Sequence, residues 1–220
     1  MRKKKEKVYK ERKPDINVIL PGDLSRSPDD FFKAVVFIDN AYLMRVKKYF
    51  FSEGLIYGVK DFVEALAKKN KYVAERIYLY DAPPFQSENP TIKEKKKKKL
   101  YDKFISRFEN EGIIVKGGRT QRLKIDDAFV YKQKAVDMYL GVDLVSVPLE
   151  FPKIKNVILI SGDSDFVPVI EKLKNQDVKT ILWTYFERKR NSPFSRCNEL
   201  IKAVDVYVKL TKEDFEEVGK

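Results

Sequence analysis

From Lys33 onward, short runs of apolar and β-branched residues alternate with longer stretches whose apolar positions recur every three or four residues. The short runs at 34–38, 76–80, 113–116, 157–160, 179–182 and 205–209 predict strands. The longer periodic stretches near 57–69, 91–111, 127–146, 166–175 and 195–203 predict helices. Ala34 to Ile38 and Val157 to Ile160 contain no polar residue, which fits strands covered on both faces. Strand and helix alternation of this kind predicts βαβ units with right-handed crossovers, hence an α/β fold with a mostly parallel central sheet between helical layers. On the helix expected at 127–146, Phe129, Val136 and Leu140 face the core, and Lys134 lies three residues before Asp137 on the same face.

The region before this pattern reads differently. Residues 1–32 form a basic N-terminal extension: a Lys/Arg-rich start, a short apolar piece at Ile16 to Leu20, then the turn-rich Pro21-Gly22-Asp23 and Ser25 to Asp30. Residues 33–210 form the domain and 211–220 a C-terminal tail. A chain of 220 residues with 43% hydrophobic content suits one domain with one sizeable core. Its formal net charge of +12 points to a polyanionic partner, nucleic acid before an anionic membrane surface. Cys197 is the single cysteine and there is no histidine, which excludes an internal disulfide, a Cys/His zinc cluster and a histidine base. No apolar stretch is long enough to span a bilayer, and the basic start Met1 to Lys13 leads into no signal-peptide core, so a cytoplasmic protein without a membrane partner is expected.

Chemistry must then come from carboxylates, lysines or tyrosines. Asp39-Asn40 ends the first strand, and Ser161-Gly162-Asp163-Ser164-Asp165 follows the fourth. Carboxyl ends of strands in open parallel sheets are where ligands bind, so these acids are expected at one rim. Asp137 reaches them from its helix. Carboxylates within about 4–6 Å of one another raise each other's pKa unless a cation holds them. Hard oxygen ligands with room for water suit magnesium or manganese, which activate water and stabilise charge on a phosphodiester. Asn40 and Ser161 offer neutral oxygens for substrate, and Lys134 a charge for phosphate. Asp81, after the second strand, ranks below these four acids, and Asp143, rotated away from Asp137, is a support residue. The run Lys93 to Lys99, broken only by Glu94, forms a broad positive surface in which Lys95, Lys96 and Lys97 are candidate phosphate contacts. Tyr42, Phe50, Phe51, Tyr185 and Phe186 could stack on bases or pack in the core, while Trp183 and Cys197 read as core.

Four motifs in order carry a family resemblance: Phe37-Ile38-Asp39-Asn40-Ala41-Tyr42-Leu43, Tyr80-Asp81-Ala82-Pro83, Lys132-Gln133-Lys134-Ala135-Val136-Asp137, and Ser161 through Pro168. Over roughly Lys33 to Leu210 they resemble the NYN domain of LabA-like proteins, in the PIN-like nuclease group. Asn198 through Asp205 resembles that family's last helix and strand. The resemblance implies a PIN-like three-layer α/β/α sandwich and metal-dependent ribonuclease activity. Asp39, Asp137, Asp163 and Asp165 match its acidic metal positions, and Asn40 matches the polar residue after the first. Ala135 stands where the family often has Gly. The resulting expectation is an endoribonuclease using magnesium or manganese, acting on RNA or single-stranded DNA, and able to form homo-oligomers. The alternative is a non-catalytic nucleic-acid-binding or assembly module of the same fold. A small-molecule phosphohydrolase is disfavoured, because Asp39-Asn40-Ala41 lacks a second acid two residues after the first.

Overall fold

The computed structural model describes residues 31–52, 55–187, 192, 194 and 197–219. The extension up to residue 30, the start of the helix expected at 195–203, and most of 188–196 lie outside them. In chain order the elements are β1 (Phe32–Asp39), α1 (Asn40–Phe51), α2 (Val59–Lys69), β2 (Tyr72–Asp81), α3 (Ile92–Asn110), β3 (Ile114–Gly117), β4 (Arg119–Ile125), β5 (Ala128–Lys134), α4 (Val136–Glu150), β6 (Asn156–Ile160), α5 (Val167–Lys174), β7 (Lys179–Thr184), α6 (Asn198–Ala203), β8 (Val206–Lys209) and α7 (Lys212–Glu216). A turn of 3-10 helix, Ser164–Phe166, precedes α5.

Six strands form a central sheet in the order β3-β2-β1-β6-β7-β8, with every neighbouring pair parallel. Because side chains alternate across a strand, β1 serves two cores. Ala34, Val36 and Ile38 pack with Leu43, Val46, Phe62, Val63 and Phe215 on one face. Val35 and Phe37 pack with Val136, Leu140, Leu144, Ile170 and Leu200 on the other. The result is a three-layer α/β/α sandwich whose middle strands are buried on both faces. Trp183 and Cys197 are buried, as their sequence context predicts. Within the 211–220 tail, α7 opens on a Thr211–Asp214 capping box and presses Phe215 onto the Phe62 ring, at 4.6 Å between centroids.

β4 and α7 are absent from the predicted elements, and three further departures from the hydrophobic pattern bear on the site. The first is α1, absent from the predicted set. Asp39 caps it by accepting from Tyr42 N, and Tyr42, Leu43 and Val46 supply its buried stripe. The second is the segment 127–135, expected as the start of a helix. It is β5, paired antiparallel with β4 in a separate two-stranded sheet, and the helix α4 begins only at Val136. Asp126 and Asp127 both take positive φ (46° and 61°), the two-residue hairpin turn that suits twisted strands. Consequently Phe129 is more than half exposed and not core, whereas Val136 and Leu140 are buried. Lys134 ends β5 opposite Arg119 and shares no helix face with Asp137. The third is Ala135, which joins strand to helix at φ 67°, a left-handed conformation costing a non-glycine residue about 1–2 kcal/mol. This explains why glycine suits that position in the motif.

Candidate acidic site at the sheet switch point

The chain runs from β1 outward to β2 and β3, then crosses to β6, β7 and β8 on the other side, so the order reverses between β1 and β6. Such a reversal opens a crevice at the carboxyl ends of the strands. Ile38 pairs with Ile160, so Asp39 and Ser161 emerge side by side at that point. Asp81 leaves the neighbouring β2 at the same rim.

Ser161 is fully buried and ties two acids together. Its Oγ donates to Asp39 Oδ2 at 3.3 Å and accepts from Asp163 N at 3.2 Å. Asp39 Oδ1 accepts from Tyr42 N at 3.0 Å, so the helix cap fixes the carboxylate. Asp163 in turn caps the 3-10 turn, accepting from Asp165 N at 3.0 Å. Gly162 lies under Tyr42: a Cβ there would sit 2.4 Å from a ring carbon, so only glycine lets the strand leave past the ring. Asp137 arrives from the first turn of α4.

Electrostatics link the four acids. Burial pushes the Asp39 carboxyl up to about 6, and the charge of Asp137 adds to it, against relief from the Tyr42 amide, Ser161 and Arg45. Asp137 is also raised, first by desolvation and then by Asp163 and Asp165. Asp39 thus feels the charge of Asp137, and Asp137 feels those of Asp163 and Asp165, so the four acids lie at one rim. All of their side-chain donors are oxygen, the set that suits a hard divalent cation. They do not form a ready-made cage: among the described residues no three acidic or cysteine side chains gather at metal-ligating spacing. Magnesium, which keeps several waters and needs only one or two carboxylates, is compatible with that spacing.

Asp81 carries more of the site than its sequence context suggests. It is nearly buried and accepts from Asn40 Nδ2 at 2.8 Å, from Ala82 N at 2.7 Å and from Gln133 Nε2 at 3.0 Å. Asn40 is thereby oriented, and its Oδ1 is a buried acceptor with no hydrogen-bond partner. Burial, with the charges of Asp81 and Asp102 adding to it, pushes the Tyr101 hydroxyl up to about 12. The sequence assigns no role to Gln133 or Arg45; each role is recognisable only once the hairpin and α1 are in place. Asp143 accepts from Tyr80 Oη and pairs with Lys116 Nζ at 2.7 Å, the support role expected of it. Lys95, Lys96 and Lys97 project to solvent from α3 and Lys134 from β5; none is hydrogen-bonded or ion-paired to the four aspartates. Tyr42 is buried, and Phe50 and Tyr185 pack edge to face at 4.9 Å, so these rings serve the core.

A parallel sheet with acids at its switch point defines a PIN-like, nuclease-like α/β/α domain. The chain belongs to the NYN family, whose domain matches residues 33–211. Its fold is similar to that of a protein of unknown function from Vibrio parahaemolyticus, at a TM-score of 0.55 and 17% identity, covering 85% of this chain and 97% of that one. No curated protein matches the chain. Among the described residues no helix is long and apolar enough to cross a membrane.

Proposed function

We propose that this NYN domain is a metal-dependent endoribonuclease, hydrolysing RNA phosphodiester bonds at the acidic rim. The observation that carries the reading is the linked set Asp39, Asp137, Asp163 and Asp165, two of whose carboxyls are held above their ordinary range at the sheet's switch point. Acids raised by burial and by the charge of neighbouring acids are costly to stability and are characteristic of functional sites. Those four would hold magnesium or manganese, which supplies an activated water and neutralises charge on the phosphodiester oxygens.

The remaining residues orient. Ser161 and the Tyr42 amide fix the two oxygens of Asp39, and Asp163 is fixed through the same serine. Asn40, tethered to Asp81, offers its free Oδ1 as an acceptor toward water or a ribose hydroxyl. Lys134 and the lysines at 95–97 supply positive charge for the RNA backbone, in a chain whose +12 charge favours polyanions generally.

Asp163→Asn is expected to abolish cleavage of labelled RNA in manganese while RNA affinity stays level or tightens, since a carboxylate repelling phosphate is gone. Unchanged turnover in that variant would end the nuclease reading. Salt-sensitive binding with no cleavage by the wild type at any divalent concentration would assign the non-catalytic binding module instead.

A further inference from the structure

The β4–β5 hairpin stands outside the central sheet, and β5 is exposed at every position. An isolated two-stranded ribbon is marginally stable in water. This one is pinned at its root, where Thr120 Oγ1 donates to Pro83 O at 2.6 Å and Gln133 Nε2 donates to Asp81. One face of the ribbon has a regular composition. Its cross-strand pairs beyond the root are Arg122 with Tyr131 and Lys124 with Phe129, so each pair sets a cation beside an aromatic ring.

The Arg122 guanidinium lies over Phe129 at 4.6 Å and over Phe85 at 4.8 Å, and Phe85 meets Tyr131 at 5.8 Å. Arg122 makes no ion pair among the described residues. Phe129 and Tyr131 remain 57% and 53% exposed, an unusual display for large rings unless something covers them. The partner's chemistry follows from the surroundings. Between Arg119 and Lys134 the hairpin has five basic residues against two acidic ones, both at the tip, so an anionic partner is favoured over an apolar protein surface. Exposed rings beside a guanidinium suit unpaired bases and their phosphates; a duplex offers no free base faces to stack on.

We propose that this hairpin is an arm that grips single-stranded RNA, stacking bases on Phe129 and Tyr131 and meeting phosphates with Arg122 and Lys124. Its root joins Asp81, and Asp81 joins Asn40, so a strand held on the arm is led toward the four aspartates. In that last respect the inference rests on the nuclease reading.

The test is fluorescence anisotropy of a labelled single-stranded RNA and of a blunt RNA duplex, with the full chain in EDTA so that binding is read without cleavage. Phe129→Ala/Tyr131→Ala is expected to weaken single-strand binding about tenfold or more and to leave duplex binding within about twofold. Phe129→Tyr/Tyr131→Phe, which keeps both rings, is expected to bind as the wild type does. Arg122→Ala is expected to weaken single-strand binding and flatten its salt dependence. Wild-type single-strand affinity in the double alanine variant would overturn the proposal, as would an equal loss for strand and duplex. A wild type that binds through these rings but never cleaves would sink the nuclease reading and leave the arm standing.

Discussion

Asp39→Asn is expected to melt higher than the wild type at pH 7 in the absence of divalent cations, and to lose RNA cleavage. The Asp39 carboxyl is raised from 3.8 to about 6 by burial and by Asp137. Between those values the folded chain holds a proton that the unfolded chain has released, so stability falls as pH rises through that window and stays reduced above it. The penalty at pH 7 is at most about 3 kcal/mol, since Asp39 keeps some solvent access. Asparagine removes the charge yet is as good a helix cap, and Ser161 Oγ can accept from its amide. Melting curves from pH 4 to 7.5 should slope downward for the wild type and lie flatter for the variant, with a gap at pH 7 of up to about 10 °C. Manganese should raise the wild-type midpoint, because a ligand bound to the folded state alone stabilises it, and should raise the variant's far less. Parallel pH profiles in the two proteins would refute this description of Asp39.

Gly162→Ala is expected to damage both stability and turnover although it touches no carboxylate. The added methyl would stand 2.4 Å from Tyr42 Cε2. Tyr42 cannot recoil: it is buried, and its hydroxyl bonds Thr184 Oγ1 at 2.5 Å, donates to Tyr185 O at 3.1 Å and accepts from Tyr185 N at 2.8 Å. The segment 161–165 must therefore move instead, carrying Asp163 and Asp165 with it and loosening the Ser161 link to Asp39. Overpacking of this kind costs about 1–3 kcal/mol. Displacing aligned catalytic groups by about 1 Å costs on the order of a hundredfold in rate. Thermal melts and RNA cleavage on one preparation check both effects, and wild-type values for either would show that the turn has slack the structure does not suggest.

Much of this architecture is legible in the sequence because its strands are buried on both faces. Val35 to Ile38 and Val157 to Ile160 could be little else than inner strands, and the acids that follow them land at one rim for that reason. Where local signals compete, the reading fails. Phe129, Val136 and Leu140 keep a helical spacing across a strand, a left-handed Ala135 and a helix, so periodicity alone fuses three elements into one. The opposing signals were the Asp126-Asp127 turn and the dense Phe-Val-Tyr run, both favouring a hairpin. Helix α1 hides behind Asp39-Asn40, a pair that suits a turn as well as a helix start. Asp81 is undervalued because its weight comes from Asn40 and Gln133, one 41 residues before it and the other 52 after it. No local pattern encodes such partners.

The most direct measurement is the anomalous difference density of a crystal soaked in manganese. A peak is expected at the rim lined by Asp39, Asp137, Asp163 and Asp165, lost in Asp163→Asn crystals soaked the same way. Manganese bound only elsewhere, in crystals of a protein that still cleaves RNA, would contradict it.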